Sequence, residues 1–153
     1  MHPNVERVTA ALHTLGSSGA VRELSVAATT AALAAEALGV EVGAIANSLV
    51  FRSTEPVLVL ASGRHRVDTA KVAALLRLPS LERADPAYVR AATGQTIGGV
   101  APVGHPHPLR TVVDTALADY PVVWAAGGTA HTVFHTSYDE LLRITGGTPA
   151  EVC

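Results

Sequence analysis

Two β-branched and leucine-rich runs, "SLVFRS" from Ser48 and "PVLVLASG" from Pro56, face each other across "TEP". Both are too short for a helix, and neither alternates cleanly between apolar and polar positions. Such a pair, separated by so few residues, predicts a hairpin of two strands buried on both faces. A doubly buried hairpin needs cover above and below, and the rest of the chain has the means to supply it. "NVERVTAALHTLG" sets Val5, Val8, Leu12 and Leu15 at helical spacing and stops at Gly16. "AVRELSV" alternates like a strand. "TTAALAAEALGV" reads as a helix with threonines to cap its start and Gly39 to end it. Asp68 is the expected cap of "VDTAKVAALLRL", and Asp85-Pro86 opens "DPAYVRAATG" with proline at the first helical position. "LRTVVD", "PVVWAAGG" and "HTVFHT" read as strands, the last two joined across "GGTA". A final helix starts at "SYDE", where Ser137 and Glu140 have capping-box spacing, and closes at Gly146. Hairpins interleaved with helices predict an α/β mixed (α+β) fold: a mixed, barrel-like sheet flanked by helices rather than a purely parallel one.

A length of 153 residues with 48% hydrophobic content suits one domain, residues 1–153. The net charge of −2 lacks the basic excess needed to follow a long stretch of nucleic-acid backbone, so DNA is not an expected partner and any nucleic-acid contact is local. The one cysteine, Cys153, excludes an internal disulfide framework and points to a cytoplasmic setting. "MHPNVERV" has no signal-peptide pattern, and no window approaches the roughly 18 apolar residues of a membrane span, so no membrane association is expected.

Few residues can do chemistry. His105 and His107 lie in "GHPHP", His131 and His135 in "HTVFH". Two histidines four apart on a strand stand roughly 13 Å from each other, too far to share a zinc ion. Prolines 106 and 108 extend "HPHP", so its rings diverge as well, and no metal site is expected. No Gly-x-Ser-x-Gly elbow is present, and a terminal cysteine has no rigid pocket to activate it. "TGQTIGGV" and "GGTA" lack the dinucleotide and Walker patterns. The segment "TIGGVAPVGH" remains: its glycines let the backbone approach a ligand closely, or equally form a bulge or tight bend.

Taken together, "IANSLVF", "PVLVLASGRHRVDTAKVAALL", "ATGQTIGGVAPVGH" and "VVWAAGGTAHTVFHTSYDELLRITGG" resemble, in order and spacing, the YbaK/EbsC family. Its members are free-standing relatives of the editing domain of bacterial prolyl-tRNA synthetases. The most specific pieces are Gly98-Gly99-x-x-Pro102-x-Gly104 and Arg66-x-Asp68-x-x-Lys71. The resemblance implies an aminoacyl-tRNA deacylase that hydrolyses the ester of Cys- or Ala-tRNA(Pro). Its partners would be the 3′ end of aminoacyl-tRNA and a prolyl-tRNA synthetase. It implies catalytic roles for Asn47, Gly98 and Gly99, and substrate-binding roles for Ser48, Lys71, Pro102, Gly104, His105, Thr129 and His131. No metal, cofactor or protein nucleophile is needed in that scheme. Water or a group on the substrate attacks, and the protein supplies position and electrostatics.

One position departs from the family. Where its characterised deacylases carry a lysine, in a "K-[ST]-L-V-F"-like segment, this chain has Asn47, followed by Ser48. A neutral carboxamide replaces an ammonium group and its charge-assisted contacts. Two expectations follow: an editing hydrolase in which Asn47 orients the amino acid or a water, or a non-catalytic module that binds the tRNA end or a small ligand. Arg52, Arg64 and Arg66 cluster around the hairpin and its exit as candidate substitute cations, although surface ion pairing is the commoner fate of such residues.

Overall fold

A computed structural model describes residues 2–153. Helix α1 (Pro3–Thr14) buries Val5, Val8 and Leu12, with Pro3 in its first turn. It ends before Leu15, which caps the helix and is partly exposed instead of extending the buried stripe. Strand β1 covers only Arg22–Glu23 of "AVRELSV". Beyond it the chain follows the sheet edge through two lone hydrogen bonds, Leu24 N–H to the His131 carbonyl and Ala28 N–H to the Ala130 carbonyl, both 2.7 Å.

Helix α2 (Ala31–Leu38) is capped by the Thr30 hydroxyl, which accepts from Leu33 N–H, and ends at left-handed Gly39. A 3₁₀ turn, Val42–Ala44, leads into β2 (Ile45–Arg52), which pairs antiparallel with β3 (Pro56–Ser62) as the hairpin predicted. The strand starts earlier than its apolar run suggests, so Asn47 lies within β2 rather than ahead of it. Helix α3 (Thr69–Leu76) is capped by Asp68, and the two-residue β4 (Glu82–Arg83) precedes α4 (Pro86–Thr93), capped by Asp85. Strand β5 (Arg110–Asp114), a second 3₁₀ turn (Thr115–Asp119), β6 (Val123–Ala126) and β7 (Thr132–Thr136) follow. Helix α5 (Tyr138–Thr145) and β8 (Thr148–Ala150) complete the order. Only half of the α5 capping box forms. Ser137 Oγ accepts from Glu140 N–H, but the Glu140 carboxylate turns away to accept from Ser17 Oγ and Thr136 Oγ1.

The strands make one mixed sheet in the order β1-β7-β6-β2-β3-β5-β8, with β4 beside β2. The pairs β2–β6, β3–β5 and β5–β8 are parallel; β1–β7, β2–β3, β2–β4 and β6–β7 are antiparallel. Ala46, Leu58, Leu60, Val113, Val123, Ala125 and Phe134, from five strands, share one core with Val8 and Leu12 of α1, so the sheet curls around that core. Its other face is covered by α3 over Val57, Val59 and Val112, and by α2 over Ile45 and Trp124.

One break in the sheet decides where the site can be. On the side away from β3, β2 pairs with β6 only at Ile45 and Ala46, and with β4 only from Phe51. Between those points, residues 47–50 have no strand neighbour on that side. Gly63 N–H bonds the Ile45 carbonyl, which fixes the alternation of the antiparallel ladder: Asn47 and Leu49 bond toward β3, and the peptide groups of Ser48 and Val50 turn to the open side.

Candidate functional site

Two cavities lie along this free edge. The narrow one, about 40 Å³, is walled by Asn47, Ser48, Gly98, the start of α2 at Thr29–Ala31, and Trp124 to Ala126 of β6, with Thr132 behind. The wide one, about 540 Å³, runs from Ser48 to Phe51 and is closed by Arg66, Arg83, Val89 and Ile97. Ser48 and Val100 line both, so the two are adjacent.

Asn47 is half-buried, and its carboxamide has no hydrogen-bond partner among the described residues. The Ser48 hydroxyl is buried without a partner. An unpaired buried hydroxyl costs stability, and one beside a cavity is free to bind what enters. The amides in the first turn of α2 have no intrahelical acceptor and carry the positive end of the helix dipole, so this wall is electropositive without a charged side chain.

Gly98 lies at the narrow cavity with φ of +93°, and a Cβ there would come within 3.4 Å of Thr29. Gly99 is not part of the wall. A Cβ on it would meet the Thr129 backbone at 2.5 Å, so the glycine is required for the loop to seat on the β6–β7 turn. Thr129 in turn is braced by Thr132, whose Oγ1 accepts from Thr129 N–H at 3.1 Å. Buried Gln95 holds the other end of the loop, its Oε1 accepting from Ala101 N–H at 2.6 Å.

The remaining expected residues lie away from both cavities. Pro102 is buried; Gly104, with φ of +85°, packs on Val8 of α1, where a Cβ would sit 3.2 Å away. His105 Nε2 donates to the Ala101 carbonyl at 2.7 Å, and burial pushes its pKa below the usual histidine value of 6.5, although the Ala101 bond partly opposes this. Lys71 Nζ donates to the Cys153 carbonyl at 2.9 Å and stands 3.7 Å from Glu151, tying α3 to the C-terminus. His131 is exposed at the start of β7. His135 is exposed as well and stacks edge-on against Trp124 with ring centroids 5.8 Å apart. Among the described residues, no group of three or more His, Cys, Asp or Glu side chains converges for a metal.

Of the arginines considered as substitute cations, Arg52 pairs with Glu82 and Arg64 with Asp119, while Arg66 lines the wide cavity. Sequence reasoning missed Thr29, Thr30, Trp124, Thr132, Arg83 and His65 as cavity residues. His65 is oriented by Asp114, a buried carboxylate that accepts from His65 Nδ1 at 2.8 Å, Ser62 N–H at 2.9 Å and Ala116 N–H at 3.0 Å. The threonines were legible as capping residues but not as a wall, because only the tertiary fold brings the α2 start to β2.

A helix-flanked mixed sheet with a cavity in a broken strand edge is the architecture of a small-ligand site rather than of an extended nucleic-acid track. The family model for the aminoacyl-tRNA editing domain matches residues 25–144, and the chain belongs to that family. Aminoacyl-tRNA editing is the function class that membership carries. The crystal structure of a candidate trans-editing enzyme for prolyl-tRNA synthetase is similar with TM-score 0.93 and 44% identity, covering 99% of this chain and 98% of that one. A second crystal structure, of the hypothetical protein APE2540, is similar with TM-score 0.87 and 28% identity over 95% of this chain and 98% of that one. The uncharacterised protein YwhH of Bacillus subtilis (strain 168) is 30% identical over 123 residues, 79% of this chain and 78% of its own. No helix among the described residues is long and apolar enough to cross a membrane.

Proposed function

We propose that this chain hydrolyses the ester between a small amino acid and the 3′-terminal adenosine of tRNA, as a deacylase of Ala- or Cys-tRNA(Pro). The size of the narrow cavity carries the reading. Its 40 Å³ is room for about three waters, enough for a methyl or mercaptomethyl side chain and too small for an aromatic one. Six of its sixteen lining residues are alanine: Ala28, Ala31, Ala34, Ala46, Ala125 and Ala126. The neighbouring polar groups can serve the ester. Asn47 offers two donors and an acceptor, and the Ser48 hydroxyl can hold a water. The positive end of α2 favours charge developing on the carbonyl oxygen. Water is the nucleophile in this account, since Cys153 is exposed at the C-terminus and no base hydrogen-bonds Ser48 Oγ. The related trans-editing candidate supports a tRNA substrate charged by prolyl-tRNA synthetase.

The test is release of labelled amino acid from alanyl- and cysteinyl-tRNA(Pro). Cleavage above the buffer rate is expected, with prolyl-tRNA(Pro) spared. If the tRNA end binds and no ester is cleaved, the chain is a binding module, the outcome that the neutral Asn47 would then explain.

A further inference from the structure

We infer that the wide cavity is the seat of the RNA chain immediately 5′ to the ester, with its phosphodiester held between Arg66 and Arg83. The inference rests on the reading of the narrow cavity as the ester site, and it adds a second subsite with its own chemistry.

Size comes first: 540 Å³ exceeds the needs of any small amino acid and suits a nucleotide, in a cavity next to the narrow one, with Ser48 and Val100 in the walls of both. Charge comes second. Arg52, Arg64, Arg110, Arg143 and Lys71 each have a carboxylate within 4 Å. Arg66 and Arg83, like Arg7, Arg22, Arg77 and Arg90, have none among the described residues, and of these six Arg66 and Arg83 line this cavity. They come from different elements, Arg66 ahead of α3 and Arg83 on β4, and both present a guanidinium group suited to a phosphate in the one cavity they line. Hydrogen bonding comes third. The open-side N–H and C=O of Ser48 offer a donor and an acceptor together, a pattern that matches the donor–acceptor edge of a nucleobase. Ile97, exposed by 57% in the opposite wall, gives the base an apolar surface. A free phosphate would use the two arginines alone, whereas an RNA end would use the strand edge and Ile97 as well.

The experiment measures binding of the unesterified trinucleotide CpCpA to the full chain, with adenosine and inorganic phosphate as comparison probes. Arg66→Ala and Arg83→Ala are each expected to weaken CpCpA by about tenfold, the effect of one charge-assisted bond. The dependence of log affinity on log salt should flatten by about 0.7 for each arginine–phosphate pairing removed. In turnover, the preference for the alanyl ester of CpCpA over that of adenosine should shrink toward unity in the double variant, through KM rather than kcat. CpCpA affinity that is unchanged in the double variant overturns the inference. So does inorganic phosphate binding as tightly as CpCpA, which would make this a plain anion site. Hydrolysis of neither ester would remove the proposed function, and CpCpA binding would still decide the subsite.

Discussion

Gly98 and Gly99 are neighbours in the chain, yet an added methyl group would meet opposite surroundings. On Gly98 it stays 3.4 Å from Thr29 at the rim of the narrow cavity; on Gly99 it falls 2.5 Å from the Thr129 backbone. The first glycine shapes the narrow cavity, and the second lets the loop seat behind it. The same division runs through the segment. From Gly99 to His105 it packs behind the site against the β6–β7 turn and α1, and only Gly98 and Val100 line the narrow cavity. A motif can therefore be specific to a family without most of its residues touching a ligand.

Four substitutions would break or sharpen this contrast. Gly99→Ala has the largest expected effect, a loss of about 3 kcal/mol in denaturant unfolding, because its clash is with backbone that cannot rotate aside. Equal stability of Gly99→Ala and wild type would show that the loop has slack. Gly98→Ala should cost about 1–2 kcal/mol through its positive φ, with a drop in deacylation at temperatures where the variant is fully folded. Asn47→Ala should leave thermal unfolding nearly unchanged and lower kcat/KM by about tenfold, near 1.4 kcal/mol of transition-state stabilisation. Asn47→Lys is the complementary probe, with faster deacylation expected if the scaffold lacks only the cation.

The smallest effect is a pH dependence. The native pKa of His105 lies below its unfolded value, so the unfolded chain binds its proton first. Stability is then complete above pH 6.5 and falls as the pH drops from there toward the lower native pKa. His105→Gln should flatten that part of a plot of unfolding free energy against pH, and an unaltered slope would assign it to another group.

The fold was legible where local chemistry and tertiary packing agree. Thr30, Asp68, Asp85 and Ser137 each cap the helix they were expected to cap, and the β2–β3 hairpin pairs over its full length. Short elements were less legible. Strands β4 and β8 have two and three residues, and their pairing comes from neighbours distant in sequence rather than from any periodicity of their own. At the site, Asn47, Ser48 and Gly98 could be named from the resemblance to a family. The break in the sheet that gives them a cavity could not, since it depends on where β6 leaves β2 and β4 joins it. Arg83 carried no signal because a two-residue strand looks like loop.

The central claim is that the narrow cavity at Asn47 accepts a small aminoacyl side chain for hydrolysis. Single-turnover deacylation of one tRNA(Pro) charged in turn with alanine, cysteine and phenylalanine tests it most directly. Cleavage of the alanyl and cysteinyl esters is predicted, and none of the phenylalanyl ester above the buffer rate. Equal cleavage of all three, or of none, would contradict the claim.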